Sequence, residues 1–255
     1  MKYGYLFPLA ALFFIAATGK QHFTPVQQNV FIGSQGSQSI RFLNESRLKN
    51  LPAILNRLSV VLNEEAPELN KWLAGDGFSV RIFDISCESF EHVAAIRYQA
   101  RDSVFQLKLN AFNQHASDRA LAATLIHETM HCILLHTLKR VQQGDKNALQ
   151  QIADLGLAQP DSSNAYSNQF FVLVNQGQEG QHEMMYQLLY PTMVALLQRF
   201  IEIHEGVSVN PSVAEHLMWS GLQGTKAYKS LDPEEQKQIE SMLLSAKGVL
   251  RDGFE

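Results

Sequence analysis

The sequence predicts an α+β fold, a small β-sheet packed on a largely buried helix with additional C-terminal helices. Three observations carry this expectation. Three short runs with strand character lie between residues 78 and 110; a long stretch after Ser117 is apolar nearly all round; and two later segments have the composition and starts of helices. With 255 residues, 45% hydrophobic and 18% charged, the chain is expected to bury a substantial core, most simply as one domain. A net charge of −4 without a dense run of Lys or Arg leaves no electrostatic footprint for nucleic acid or an anionic membrane surface.

Taken in order, residues 1–19 read as a signal peptide. Lys2 precedes an apolar run from Tyr5 to Ala17, too short to span a bilayer comfortably, and Ala17-Thr18-Gly19 places small residues before a cut ahead of Lys20. Export to the periplasm or the extracellular space is expected, with no stable membrane span after cleavage. An uncleaved anchor and a buried N-terminal helix are the alternatives. Residues 20–42, rich in Gln, Ser and Gly and without a sustained period, read as a leader or linker, so the folded domain is expected over residues 43–255.

Leu51, Leu55, Leu58 and Leu62 recur at helical spacing, with Pro52 tolerated in the first turn. The strand-like runs follow: "FSVRIFDI" from Phe78, "HVAAIRYQA" from His92 and "VFQLKLN" from Val104. In the last, Phe105, Leu107 and Leu109 alternate with Gln106 and Lys108. Ser117 and Asp118 supply cap chemistry for "RALAATLIHETMHCILLHTLKR", which ends in Lys139 and Arg140 where the helix dipole favours cations. Residues 141–181 are polar and turn-rich apart from "QFFVLV". The segment "GQHEMMYQLLYPTMVALLQRFIEI" reads as a second helix that Pro191 should kink or split after Tyr190. Asp232-Pro233-Glu234-Glu235 opens a final helix with an Asp cap and Pro at the first position. Two cysteines, Cys87 and Cys132, specify no disulfide framework, and Cys132 reads as an inert buried thiol.

Within the buried helix, "TLIHETMHCILLH" places His127 and His131 four residues apart, about 40° apart around the axis and about 6 Å along it, so both imidazoles can face one ion. Glu128 projects about 100° from His127, where it can reach a water on the metal without becoming a ligand, as in the HExxH zinc motif. With nine His and sixteen Glu, random placement would give this pattern about 0.02 times per chain. The competing structural reading buries three ionisable groups without a partner, which is costly.

A catalytic zinc takes three protein ligands and an open position. His136, nine residues after His127, falls on the opposite helix face, and the spacing of a metzincin third histidine is absent. His182, at the start of the next long helix, is the favoured third ligand; Glu183 is the alternative. His22, His92, His115, His204 and His216 have no partner at ligand spacing.

The segments "LIHETMHCILL", "QHEMMYQLLYPTMVALLQRF" and "WSGLQGTKAYKSL" together resemble a group of bacterial SprT-like zinc metallopeptidases, over roughly residues 105–231. The resemblance implies a zincin-like domain and His182 rather than Glu183 as third zinc ligand. The better-studied SprT proteins carry their third histidine much sooner and have a basic zinc-ribbon region, so their link to DNA does not transfer.

The expected activity is hydrolysis of peptide bonds in a peptide or protein substrate, by zinc-activated water with Glu128 as general base and His127, His131 and His182 as zinc ligands. Tyr186, one turn after His182, could assist the oxyanion, although a packing role is the plainer reading. The strand "FQLKL" could align an extended peptide by strand addition. The alternative function is an exported, non-catalytic zinc-binding module for binding or assembly; the intact Glu128 speaks against it.

Overall fold

The computed structural model describes residues 28–32, 40–64, 78–85, 94–99, 104–110, 115–154 and 178–246. The expected signal peptide, His22, Cys87, His92 and the "QFFVLV" run lie outside these residues. The architecture is mixed α/β. Strands β1 (Gln28–Ile32), β2 (Ile40–Asn44), β3 (Phe78–Ile85), β4 (Ala94–Gln99) and β5 (Val104–Asn110) form one five-stranded sheet in the order β1-β2-β3-β5-β4. Its centre, β2-β3-β5, is parallel, while β1 and β4 pair antiparallel at the two edges.

Two expectations are corrected by this topology. Residues 20–42, read as a leader or linker, contain β1 and the start of β2. Their Gln, Ser and Gly content hides strands whose stability comes from a neighbour: Val30 pairs with Phe42, and Phe42 with Val80. The strand β5 is interior, bonded on one side to β3 and on the other to β4. Its backbone groups are therefore already used, and an extended peptide could add only at an edge such as β4.

The period-2 alternation is what aligns the core face. Register places Phe42 beside Val80 and Val80 beside Phe105, then Ile82 beside Leu107, so the buried residues of three strands form one apolar surface. Helix α1 (Leu51–Glu64) makes the crossover that parallel β2 and β3 require, and it buries Leu51, Leu55, Leu58 and Leu62 as its spacing predicts. Truncating a central residue such as Leu58 to Ala would cost about 2–5 kcal/mol.

Helix α2 (Asp118–Gln142) runs through the middle of the molecule. Every residue from Leu121 to Leu134 is buried, which is why its sequence is apolar nearly all round. The side-chain oxygen of Ser117 caps it, accepting from the Ala120 N–H at 3.2 Å. On one side His136 packs on Phe78 of β3, ring centroids 5.1 Å apart. On another side lies helix α4 (Gln178–Glu205), tied to the start of α2 at its far end: His204 meets Asp118 at 2.8 Å, and Glu205 forms a two-bond pair with Arg119. His204, expected to be bland, is thus an anchor between helices.

Two further differences follow. The polar stretch after Val141 holds a helix, α3 (Lys146–Asp154), started by the Asp145 carboxylate, which accepts from the Asn147 and Ala148 N–H groups. Pro191 does not split its helix; α4 continues through it. Pro191 is exposed, so the carbonyl it leaves unbonded can turn to water, while Leu189, Met193, Leu196 and Leu197 hold both halves in the core. The chain ends in α5 (Pro211–Met218), α6 (Lys226–Lys229) and α7 (Pro233–Ala246). The Asp232 carboxylate caps the last, accepting from the Glu234 N–H at 2.8 Å. Among the described residues, no helix is long and apolar enough to cross a membrane.

Candidate metal centre

Three of the polar side chains buried along α2 are satisfied by their own helix or by a neighbouring charge. Thr124 and Thr129 donate to the carbonyls one turn back, and Arg140 pairs with Asp145 at 2.7 Å. His127 and His131 differ: through Nε2 they face each other, and His131 also faces a third imidazole from α4. The Nε2 atoms of His127 and His131 are 3.1 Å apart, and those of His131 and His182 are 3.2 Å apart. The three ring centroids form a near-equilateral triangle with sides of 4.9, 5.0 and 5.1 Å. These three residues lie close enough to hold a metal ion, and they are the only such group among the described residues.

The donor set fits zinc. With Zn–N bonds of about 2.05 Å, the edge of a coordination tetrahedron is about 3.3 Å, close to both Nε2 separations. Burial and the neighbouring rings push His127 well below its usual range and bring His131 down to about 3; burial also lowers His182, against the pull of Glu179. All three rings are therefore neutral near pH 7, each with a lone pair to offer. When each ring carries its proton on Nδ1, three Nε2 lone pairs face one another and repel unless a cation lies among them.

His127 and His131 are 5% and 6% exposed, so water can do little to separate those lone pairs. Glu128, 8% exposed, is not part of the convergent group, and burial raises its carboxyl to about 8. Glu183, the alternative third ligand, is used elsewhere: its carboxylate accepts from the Lys226 N–H at 2.6 Å, in the first turn of α6. Consecutive residues on a helix point about 100° apart, so His182 and Glu183 serve different neighbours. Tyr186 stacks on Trp219 at 5.3 Å and sits beside Tyr190 in an aromatic cluster, the packing role. His136 packs on the sheet, and Cys132 is a buried free thiol whose burial raises it well above the ordinary range.

Two residues at the site have no counterpart in the sequence expectations. Gln181 places its side-chain oxygen 2.7 Å from His131 Nδ1. Its one signal in the sequence is adjacency to His182, which is weak because neighbours on a helix usually face apart. Gly221, in the turn between α5 and α6, lies against the His127 ring: a Cβ built on it would sit 2.7 Å from Cε1 and 2.9 Å from Nε2. Its φ of +84° also selects glycine. A glycine in a turn has many reasons to be there, and contact with a histidine ninety-four residues earlier leaves no local trace.

No protein-family model, curated protein or solved structure matches the chain.

Proposed function

We propose that this chain is a zinc-dependent metallopeptidase with a zincin-like domain, exported by residues 1–19. The observation that carries the reading is the convergence of three imidazoles, two buried ones from α2 and a half-buried one from α4, with Glu128 beside the first of them in sequence. A three-histidine group, two of its rings buried and the third half-buried, can take zinc and leave a fourth position open, the ligand count of a catalytic rather than a structural site. The mixed sheet, with an antiparallel edge strand, supports the zincin reading.

In this reading His127, His131 and His182 hold the ion. When bound, zinc supplies Lewis acidity to water and to the substrate carbonyl. Burial alone raises the Glu128 carboxyl to about 8; beside the charge of a bound ion its carboxylate form is favoured, and it then accepts the proton of the attacking water and delivers it to the leaving amine. Its nearly complete burial keeps bulk solvent from competing for that proton. The strand β4, whose outer edge carries no partner within the described sheet, offers an extended peptide backbone bonds.

The test is hydrolysis of an unfolded protein mixture by the zinc-loaded chain and by Glu128→Gln. Activity in the first and a drop of about 10²-fold or more in the second, with zinc content unchanged, supports the assignment. Zinc bound by both and hydrolysis by neither would leave the non-catalytic zinc-binding module.

A further inference from the structure

We infer that Gln181 is a positioning residue: it holds the His131 ring in the form that carries its proton on Nδ1, and so turns the Nε2 lone pair toward the metal. The inference rests on the three-histidine reading above and deepens it.

The geometry is that of a clamp. His131 has both ring nitrogens engaged, Nε2 with the Nε2 atoms of His127 and His182 at 3.1 and 3.2 Å, and Nδ1 with the Gln181 Oε1 at 2.7 Å. Gln181 and His182 are consecutive in the first turn of α4, so one turn of one helix grips the ring from both ends. An amide oxygen only accepts, so a 2.7 Å contact to Nδ1 requires Nδ1–H to donate. Were Gln181 to present its NH₂ group instead, Nδ1 would accept and Nε2 would carry the hydrogen. That hydrogen would point among the other imidazole nitrogens and block coordination. The orientation of one side-chain amide thus biases the ring toward or away from the form that accepts a cation. A metal-bound histidine commonly depends on such an acceptor on its other nitrogen, and loss of the acceptor weakens metal affinity by about 10–100-fold.

His127 provides the contrast. Its Nδ1 is buried and has no hydrogen-bond partner, and its ring is held by the Gly221 backbone instead. The two α2 histidines are therefore fixed by different means, one by a polar acceptor and one by steric contact.

The test combines ¹⁵N NMR of histidine-labelled protein with zinc affinity from chelator competition. In zinc-loaded wild type, His131 should show a protonated, hydrogen-bonded Nδ1. Gln181→Leu should bind zinc about 10–100-fold more weakly, and Gln181→Glu, which keeps an acceptor oxygen, should restore affinity. Should Gln181→Leu fail to fold, the wild-type ¹⁵N pattern decides alone: an unprotonated Nδ1 overturns the inference. Wild-type affinity in a folded Gln181→Leu overturns it too. Failure of the wild-type chain to bind zinc overturns the three-histidine reading itself, a result distinct from either.

Discussion

Gly221 and His127 are in contact across ninety-four residues of sequence, with the glycine Cα backed against the imidazole so closely that no Cβ fits between them. Gly221→Ala therefore has two costs. A left-handed φ of +84° disfavours a side chain by about 1–2 kcal/mol, and the new methyl displaces the His127 ring. Gly206, with φ +71° and nothing within 4 Å of the place a methyl would take, isolates the first cost. Gly206→Ala should destabilise the chain by about 1 kcal/mol without changing zinc affinity. Gly221→Ala should destabilise it more and weaken zinc binding. Thermal unfolding of the apo protein and chelator competition measure the two effects, and equal zinc affinity in both variants would argue that the Gly221 contact does not hold His127.

His182 and Glu183 are neighbours with separate work. His182→Ala should abolish tight zinc binding, because two imidazoles leave the ion under-coordinated. Glu183→Ala should keep zinc and lower stability by about 1 kcal/mol, through loss of the acceptor for the Lys226 N–H. Metal content by mass spectrometry under native conditions, with a melting curve for each variant, distinguishes them; zinc lost from Glu183→Ala and kept by His182→Ala would reverse the ligand assignment.

Metal should also be a stabiliser of the fold. The three imidazoles join α2 to α4, so an ion that binds only the folded chain raises its stability by mass action. At free zinc about 1,000 times the dissociation constant this amounts to about 4 kcal/mol. Scanning calorimetry with and without a chelator should show a lower melting temperature in its presence, reversed by added zinc. A melting temperature indifferent to both would mean that no ion links the helices.

Asp145 gives a pH-dependent prediction away from the metal centre. Partial burial works to raise its carboxyl, but the hydrogen bond from Arg140 and those from the Ala148 and Asn147 N–H groups outweigh this and hold it below the usual value. A lowered folded pKa contributes stability above the unfolded value of about 3.9, and that contribution is lost as pH falls through the folded value. Asp145→Asn keeps a capping oxygen but leaves the buried Arg140 without its counter-charge. It should be less stable than wild type at pH 7, and the gap should narrow below about pH 4. Denaturant unfolding at pH 7 and pH 3 reads this; a gap that widens on acidification would reverse the sign.

Much of this molecule is legible without coordinates, because its signals are local. The four leucines of α1, the alternation of Phe105, Leu107 and Leu109, the Ser117 and Asp232 caps, and the pairing of His127 with His131 across one turn each lie within a few residues. Helix α3 and strands β1 and β2 are hidden for the complementary reason. They are short and set in polar, turn-rich sequence that masks their few apolar residues, and the strands are held by partners distant in sequence, as Phe42 is by Val80.

The sequence by itself determined that two imidazoles and a carboxylate share one buried helix: the apolar run and the Ser117 cap set the helix, and 3.6 residues per turn then puts His127 and His131 on one face. Tertiary structure decided the rest of the centre. It brought His182 to His131 while sending Glu183 to α6, set Gln181 behind the ring, and closed the Gly221 turn over His127. The physical reason is that helix periodicity governs only which residues of one helix share a face, whereas the meeting of two helices and a turn depends on how the whole apolar core packs.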